Sequence, residues 1–245
     1  MTTQDLSVDI GGLSMPAYLA RPDGEDPKPA VIVFQEIFGV NREVKRIAEL
    51  FASAGYVALA PNYYYRTHPH LNEPYNEQGL QRGFAAAGKV TKANLREDAS
   101  ACIAWLDRQN FVAKGNIATC GFCFGGTVAF LSATLPGLKG AIPFYGGSIA
   151  SPMPNGEPEA LADAKDVRVP LLLFFGGKDD YIPKETVERI DRTLGDLGKA
   201  HEIVVYPNVG HAFFRESSVE LHQSDVADAW SRVQAFLKTV FTSAG

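Results

Sequence analysis

Short runs of apolar residues alternate with longer amphipathic stretches along most of the chain. The apolar runs show no polar alternation, which is typical of strands that helices cover on both sheet faces. The predicted strands are 31–34, 57–60, 117–119, 141–144, 171–175 and 203–206. The predicted helices are 42–54, 94–110, 127–134, 184–197 and 219–240. This order of elements predicts a parallel sheet with right-handed crossovers.

Two parts of the chain depart from this alternation. Residues 6–10 and 14–20 flank a Gly11-Gly12 turn, which predicts an antiparallel hairpin at the entry to the sheet. Residues 66–93 combine scattered Pro, Gly, Asn and His, so we expect an irregular insertion that shapes a substrate pocket. Without a linker or repeat, residues 1–245 are predicted to form a single α/β domain.

Composition and charge narrow the functional classes. The chain has 23 basic and 28 acidic residues, a net charge of −5, which argues against a nucleic-acid partner. It shows neither a secretory leader nor an apolar run of membrane-spanning length, so we expect a cytoplasmic protein with no membrane partner. We expect it to act on a small molecule, as a monomer or small homo-oligomer.

The strongest chemical signal is the segment Gly121-Phe-Cys-Phe-Gly-Gly126, between a predicted strand and a predicted helix. A nucleophile elbow has the pattern Gly-x-nucleophile-x-Gly because its sharp turn leaves room only for very small neighbours. Here Cys123 stands where serine is usual. The amino end of the following helix favours a thiolate at this position.

The same segment has competing interpretations. Cys120 and Cys123 form a C-x-x-C pair, the spacing of a thiol redox site or half of a zinc site. A zinc site needs a second pair of ligands, and the sequence offers none at matching spacing. A buried, inert cysteine in a packing turn is the third possibility, and Cys102 is expected to lie in a helix core.

A cysteine nucleophile needs a base and a group that orients the base, in the chain order nucleophile, acid, histidine. Asp179 follows the predicted strand 171–175, and His211 follows the last predicted strand in a Gly-His turn. Catalytic groups collect at the carboxyl ends of parallel strands. We therefore expect Cys123, Asp179 and His211 to converge at one sheet edge.

The elbow also predicts an oxyanion hole built from two backbone amides. One is the amide of Phe124, directly after the nucleophile, and the other is that of Ile37, in the loop after strand 31–34. Glu36 in the same loop would bring a carboxylate close to the elbow.

Four motifs together resemble the dienelactone hydrolase (carboxymethylenebutenolidase) family, which has the α/β-hydrolase fold. They are Gln35-Glu-Ile-Phe-Gly-Val-Asn41, Gly121-x-Cys-x-Gly-Gly126, Gly176-x-x-Asp-x-x-Ile-Pro183 and Gly210-His-Ala-Phe213. The resemblance implies a three-layer α/β/α sandwich. It also implies that Cys123 is the nucleophile, His211 the base and Asp179 the orienting acid. By the same resemblance, Glu36 keeps Cys123 in its thiol form in the resting enzyme and takes up its proton when substrate binding rearranges the site.

The resemblance further implies a substrate, an enol-lactone that bears a carboxylate. Arg215 matches a family arginine that binds this carboxylate, and a guanidinium suits bidentate binding. Arg82 is the candidate for a second such arginine, with Arg66 as its rival. The family's pocket tyrosine is not evident in residues 84–87, and Asn62 stands where an aspartate is usual, which leaves the particular substrate open.

The predicted function is therefore hydrolysis of a dienelactone to a maleylacetate-type product, in the degradation of aromatic compounds, through a thioester on Cys123. This scheme needs neither a metal nor an organic cofactor. One alternative is a carboxylesterase or thioesterase of broader specificity that uses the same triad. The others are a thiol redox protein that uses Cys120 and Cys123, and a hydrolase-like binding protein without turnover.

Overall fold

The computed structural model describes residues 1–242. Eight strands form one sheet in the order β1-β2-β4-β3-β5-β6-β7-β8. Their bounds are β1 Thr2–Ile10, β2 Leu13–Arg21, β3 Lys28–Phe34, β4 Val57–Pro61, β5 Val112–Phe122, β6 Gly140–Phe144, β7 Leu171–Gly176 and β8 His201–Tyr206. Consecutive residues of β4, β6 and β7 are all buried, so helices and loops cover both faces of the central sheet.

Seven α-helices and one short 3₁₀ segment, Ala160–Asp166, connect and follow these strands. The helices are α1 Arg42–Ser53, α2 Glu77–Ala87, α3 Lys92–Asp107, α4 Phe124–Ser132, α5 Lys184–Asp196, α6 Glu216–Val219 and α7 Gln223–Thr242. The helix predicted over 127–134 thus begins earlier, and the one predicted over 219–240 is two elements. Within residues 1–242, no helix is both long and apolar enough to cross a membrane.

The predicted hairpin and parallel sheet are confirmed. β1 pairs antiparallel with β2 from Thr2 opposite Arg21 to Ile10 opposite Leu13, and β2 pairs antiparallel with β4. The remaining pairings, from β4 through β8, are parallel. Gly11 and Gly12 both have positive φ, 57° and 91°, the backbone conformation that the tight turn requires.

The expectation of irregular structure throughout residues 66–93 is wrong for 77–87, which form α2, and for 92–93, where α3 begins. The Asn76 side chain caps this helix by accepting a hydrogen bond from the Gly79 amide at 2.8 Å. Gly83 lowers the helix propensity of this segment, so the sequence pattern did not indicate a helix here. A Cβ there would lie 2.7 Å from the Ile37 carbonyl oxygen, so this glycine lets α2 pack directly on the loop after β3.

Candidate active site

The turn between β5 and α4 holds Cys123 in an unusual backbone conformation. Cys123 has φ 54° and ψ −119°, a strained combination for a residue with a side chain, and its amide donates to the Phe144 carbonyl at 3.1 Å. A Cβ on Gly121 would lie 1.9 Å from the Gly125 carbonyl oxygen, and one on Gly125 2.3 Å from that of Phe34. The two glycines therefore allow the sharp turn that projects Cys123 above the sheet edge.

His211 lies beside the turn and is bonded to Asp179. The distance from His211 Nδ1 to Asp179 Oδ2 is 2.8 Å. The other carboxylate oxygen, Oδ1, accepts from the amides of Tyr181 and Ile182 at 2.9 and 3.2 Å. Because these turn amides fix the buried carboxylate, only one oxygen faces the imidazole, and His211 presents Nε2 to the cavity.

The charge state of His211 follows from its neighbours. Burial lowers its pKa, but hydrogen bonding with Asp179 and Cys123, together with their charges, outweighs burial and raises the pKa to about 10. The ring is flanked by those of Tyr145 and Tyr181, with centroids 5.1 and 5.4 Å away. An imidazolium between a carboxylate and the sulfur is thus the favoured state at neutral pH.

Glu36 and Arg215 form a buried ion pair. Glu36 is 3 % exposed, and its two oxygens accept three hydrogen bonds from Arg215 Nε and Nη2 at 2.8–3.1 Å. Burial lowers the pKa of Arg215, but the charge and hydrogen bonds of Glu36 raise it further above its ordinary value. The guanidinium also lies 4.2 Å from the centroid of the Tyr75 ring. In this structure the Glu36 carboxylate is therefore bound to the Arg215 guanidinium.

The backbone amides predicted for the oxyanion hole belong to residues at the same place. Ile37 and Phe124 line one cavity together with Cys123. Phe124 is the first residue of α4, where amides lack intrahelical acceptors. Behind them, the Tyr63 hydroxyl donates to the Gln35 carbonyl, and the Tyr63 ring lies edge-on to Phe124 at 6.0 Å.

A cavity of about 500 Å³ opens above Cys123 and His211. Its wall is mostly apolar and includes several residues that sequence reasoning missed. Those missed are Phe38, Tyr75, Asn76, Leu80, Phe84, Gly147, Ser148, Ser151, Pro154, Tyr181 and Ala212. Leu80 and Phe84 are four residues apart on α2, so recognising a helix at 77–87 would have placed both on one face.

The structure does not bring the two other candidate arginines to this cavity. Arg82 pairs with Glu73 at the surface, with 52 % of its side chain exposed. Arg66 pairs with Glu97 and with the buried Asp98. Of the predicted carboxylate-binding residues, Arg215 is the one that lines the cavity.

The structure also bears on the thiol redox alternative. Cys102 and Cys120 are fully buried, and burial raises the pKa of both thiols. A redox pair needs an accessible thiol that ionises readily, so the position of Cys120 argues against one. Among residues 1–242, no three His, Cys, Asp or Glu side chains are grouped as ligands for a metal ion.

Comparison with known proteins gives one consistent result. The profile described as the dienelactone hydrolase family matches residues 15–241. A protein from Synechocystis sp. named "putative carboxymethylenebutenolidase" is 34 % identical over 93 % of this chain and 92 % of its own. One of the same name from Escherichia coli (strain K12) is 35 % identical over 95 % of this chain and 85 % of its own.

Solved structures agree with the sequence relatives. The crystal structure of a "putative dienelactone hydrolase" from Klebsiella pneumoniae is 31 % identical and superimposes with a TM-score of 0.87 over 97 % of this chain and 98 % of its own. A dienelactone hydrolase-like promiscuous phosphotriesterase from metagenomic libraries, P91, is 21 % identical with a TM-score of 0.77 over 98 % of both chains. At that identity, the second likeness shows the fold alone.

Proposed function

Because the chain belongs to the dienelactone hydrolase family and is a hydrolase of that type, we propose that it opens an enol-lactone through a thioester on Cys123. The observation that supports this proposal most directly is the hydrogen bond of 2.8 Å between His211 and Asp179. It lies beside the strained turn that projects Cys123. The cavity lining includes Cys123, His211, Ile37 and Phe124, which supports acyl transfer by a nucleophile, an oriented base and two amide donors.

In the first half-reaction the Cys123 thiolate attacks the lactone carbonyl carbon. The amides of Ile37 and Phe124 stabilise the negative oxygen of the tetrahedral intermediate. When the intermediate collapses, the ring C–O bond breaks and the leaving oxygen departs as an enolate. The enolate takes up the proton held by His211, which leaves the acyl group on sulfur and the imidazole neutral.

In the second half-reaction water cleaves the thioester. Neutral His211, oriented by Asp179, removes a proton from water while the oxygen attacks the acyl carbon. The carbon–sulfur bond then breaks, which releases the carboxylic acid and restores the thiolate beside an imidazolium.

The substrate carboxylate in this proposal binds Arg215. Glu36 already accepts three hydrogen bonds from that guanidinium, so an incoming carboxylate competes with Glu36 for it. Wherever Cys123 starts as the thiol, a displaced Glu36 would be free to take its proton and so supply the thiolate that attacks the lactone. We place this reaction in the cytoplasm and in the degradation of aromatic compounds, catalysed by a monomer or small homo-oligomer without nucleic-acid or membrane partners.

A broader carboxylesterase or thioesterase is the second candidate. The mostly apolar wall and the position of Arg82 outside the cavity favour it. The two candidates share the triad and differ in whether the substrate must carry a carboxylate.

Turnover of a dienelactone by wild type and by Cys123→Ala tests the nucleophile. We expect the variant to lose at least about 10³-fold in kcat, while Cys120→Ala, which removes a buried thiol nearby, keeps turnover. In His211→Gln, intact-mass spectrometry should detect the acyl group bound to the protein, since deacylation lacks its base. Equal turnover by wild type and Cys123→Ala would exclude the mechanism.

The variant Arg215→Ala tests whether the enzyme recognises a carboxylate on its substrate. Loss of a charge-assisted hydrogen bond costs about 10- to 100-fold. We expect that loss in kcat/KM for the carboxylated dienelactone and a much smaller one for the same lactone without its carboxylate. An equal loss for both lactones would favour the broader esterase.

A further inference from the structure

Part of the cavity wall is formed by α2, and the position of this helix is set by close backbone packing. Gly83 lies against the loop that carries Ile37, where a Cβ would approach the Ile37 carbonyl oxygen to 2.7 Å. Leu80 and Phe84, one helical turn apart on the same helix, both line the cavity. The helix therefore brings two large apolar side chains to the space above Cys123.

Two aromatic side chains of the cavity are unusually exposed. Phe84 is 50 % exposed and Tyr181 is 67 % exposed, and both line the cavity. Single exposed apolar residues are common, but two aromatic rings bordering one concave site offer a surface that a ligand can cover. Covering them would remove apolar area from water, which favours binding.

The charge available inside the cavity is small. Within residues 1–242, Arg215 is the one Lys or Arg side chain in the cavity wall, and Glu36 neutralises it. The Asn, Ser and Tyr side chains of the wall are those of Tyr75, Asn76, Ser148, Ser151 and Tyr181. The other cation of the wall, the His211 imidazolium, is paired with Asp179. A second anionic group on the substrate would therefore find no unpaired cation among the described residues of the wall, whereas an apolar group would find Leu80 and Phe84.

The volume of the cavity also favours a substrate that is larger than the reacting ring. About 500 Å³ lies within the range of cavities that hold drug-sized ligands, well above what a single five-membered ring fills.

We propose that the lactone or ester substrate carries a bulky, uncharged apolar substituent, and that this substituent packs against Phe84 and Tyr181. This inference rests on the proposed function. Both side chains are then specificity-determining residues. The substituent contributes binding free energy that the reacting ring alone cannot provide. We therefore expect it to lower KM more than it changes kcat.

Two carboxylate-free enol-lactones test this, 5-methylene-2(5H)-furanone and 5-benzylidene-2(5H)-furanone. They share the reacting ring and differ in the phenyl group. Rates are divided by those of hydroxide-catalysed hydrolysis, which removes intrinsic reactivity. We expect wild type to prefer the benzylidene lactone by about 10-fold or more in corrected kcat/KM. Phe84→Ala should abolish most of that preference through KM, with a clearly smaller loss for the methylene lactone than for the benzylidene lactone, and Tyr181→Ala should reduce it.

Matched variants separate the possible outcomes. Phe84→Leu keeps an apolar side chain and should retain part of the preference, while Leu13→Ala, which removes a 51 % exposed side chain from the hairpin, should retain all of it. Equal corrected kcat/KM for both lactones in wild type, or an equal loss for both in Phe84→Ala, overturns the inference. Turnover of both lactones by Cys123→Ala at the wild-type rate instead overturns the proposed function.

Discussion

The two sides of the cavity are held in place by different means. On the sheet side, backbone atoms fix the geometry, because Gly121 and Gly125 pack against carbonyl oxygens and the Cys123 backbone is strained. On the covering side, side chains supply the surface, with Phe84 and Tyr181 half or more exposed. The reacting groups thus stand on closely packed backbone, and the proposed substrate contacts are made by exposed side chains.

The largest expected effect lies on the sheet side. In Asp179→Asn, Oδ1 can still accept from the Tyr181 and Ile182 amides, which turns the new NH₂ toward His211 Nδ1. The imidazole would then carry its proton on Nε2, the wrong tautomer for a base facing Cys123. We expect kcat to fall about 10³- to 10⁴-fold, measured with the favoured lactone. A loss below tenfold would show that Asp179 does not orient the base.

A smaller effect tests whether backbone alone holds the sheet side. Tyr63→Phe removes the hydroxyl that donates to the Gln35 carbonyl, two residues before Ile37. We expect kcat to fall about tenfold at unchanged KM, because the Ile37 amide loses its alignment, and unfolding free energy to fall by about 1 kcal/mol. Tyr65→Phe removes a buried hydroxyl that donates to Asp98 rather than to the Gln35 carbonyl, and it should keep kcat. A matching loss of kcat in both variants would point to packing.

The pH dependence of the unfolding free energy tests the His211–Asp179 pair on the sheet side of the cavity. The pKa of His211 is about 10 in the folded protein and ordinary in the unfolded chain, so the unfolded chain loses this proton first as pH rises. The stabilisation is full below about pH 6.5 and is lost as pH rises through about 10. Chemical denaturation at pH 6, 8 and 10 should show this decline in wild type and a flatter one in Asp179→Asn. Parallel curves for the two proteins would contradict it.

The smallest effect concerns the outer surface of the covering side. Arg82 forms an exposed ion pair with Glu73 and does not line the cavity. Arg82→Ala should therefore leave kcat and KM for a carboxylated dienelactone indistinguishable from wild type, in contrast to Arg215→Ala. A rise in KM confined to the carboxylated lactone would show that Arg82 reaches the substrate after all.

The sequence predicted the sheet, the hairpin and the order of chemical groups along the chain because these depend on local patterns. The turn at Cys123 follows from glycines two residues to either side, a signal contained in six residues. α2 escaped prediction because Gly79 and Gly83 suppress helix propensity, and only tertiary contact with Pro74 and Ile37 explains them. The Glu36–Arg215 pair joins residues 179 apart, a distance over which no sequence pattern indicates contact.

The contact of Gly83 with the Ile37 backbone has a consequence for how such an enzyme diversifies. Because that contact needs only a missing side chain at one position, Leu80 and Phe84 are free to vary while α2 stays in place. Substitutions at positions 80 and 84 can therefore change the apolar surface of the cavity while Gly83 keeps α2 against the Ile37 loop. Ancestral or laboratory-evolved variants should record this as rapid drift at positions 80 and 84 beside a fixed glycine.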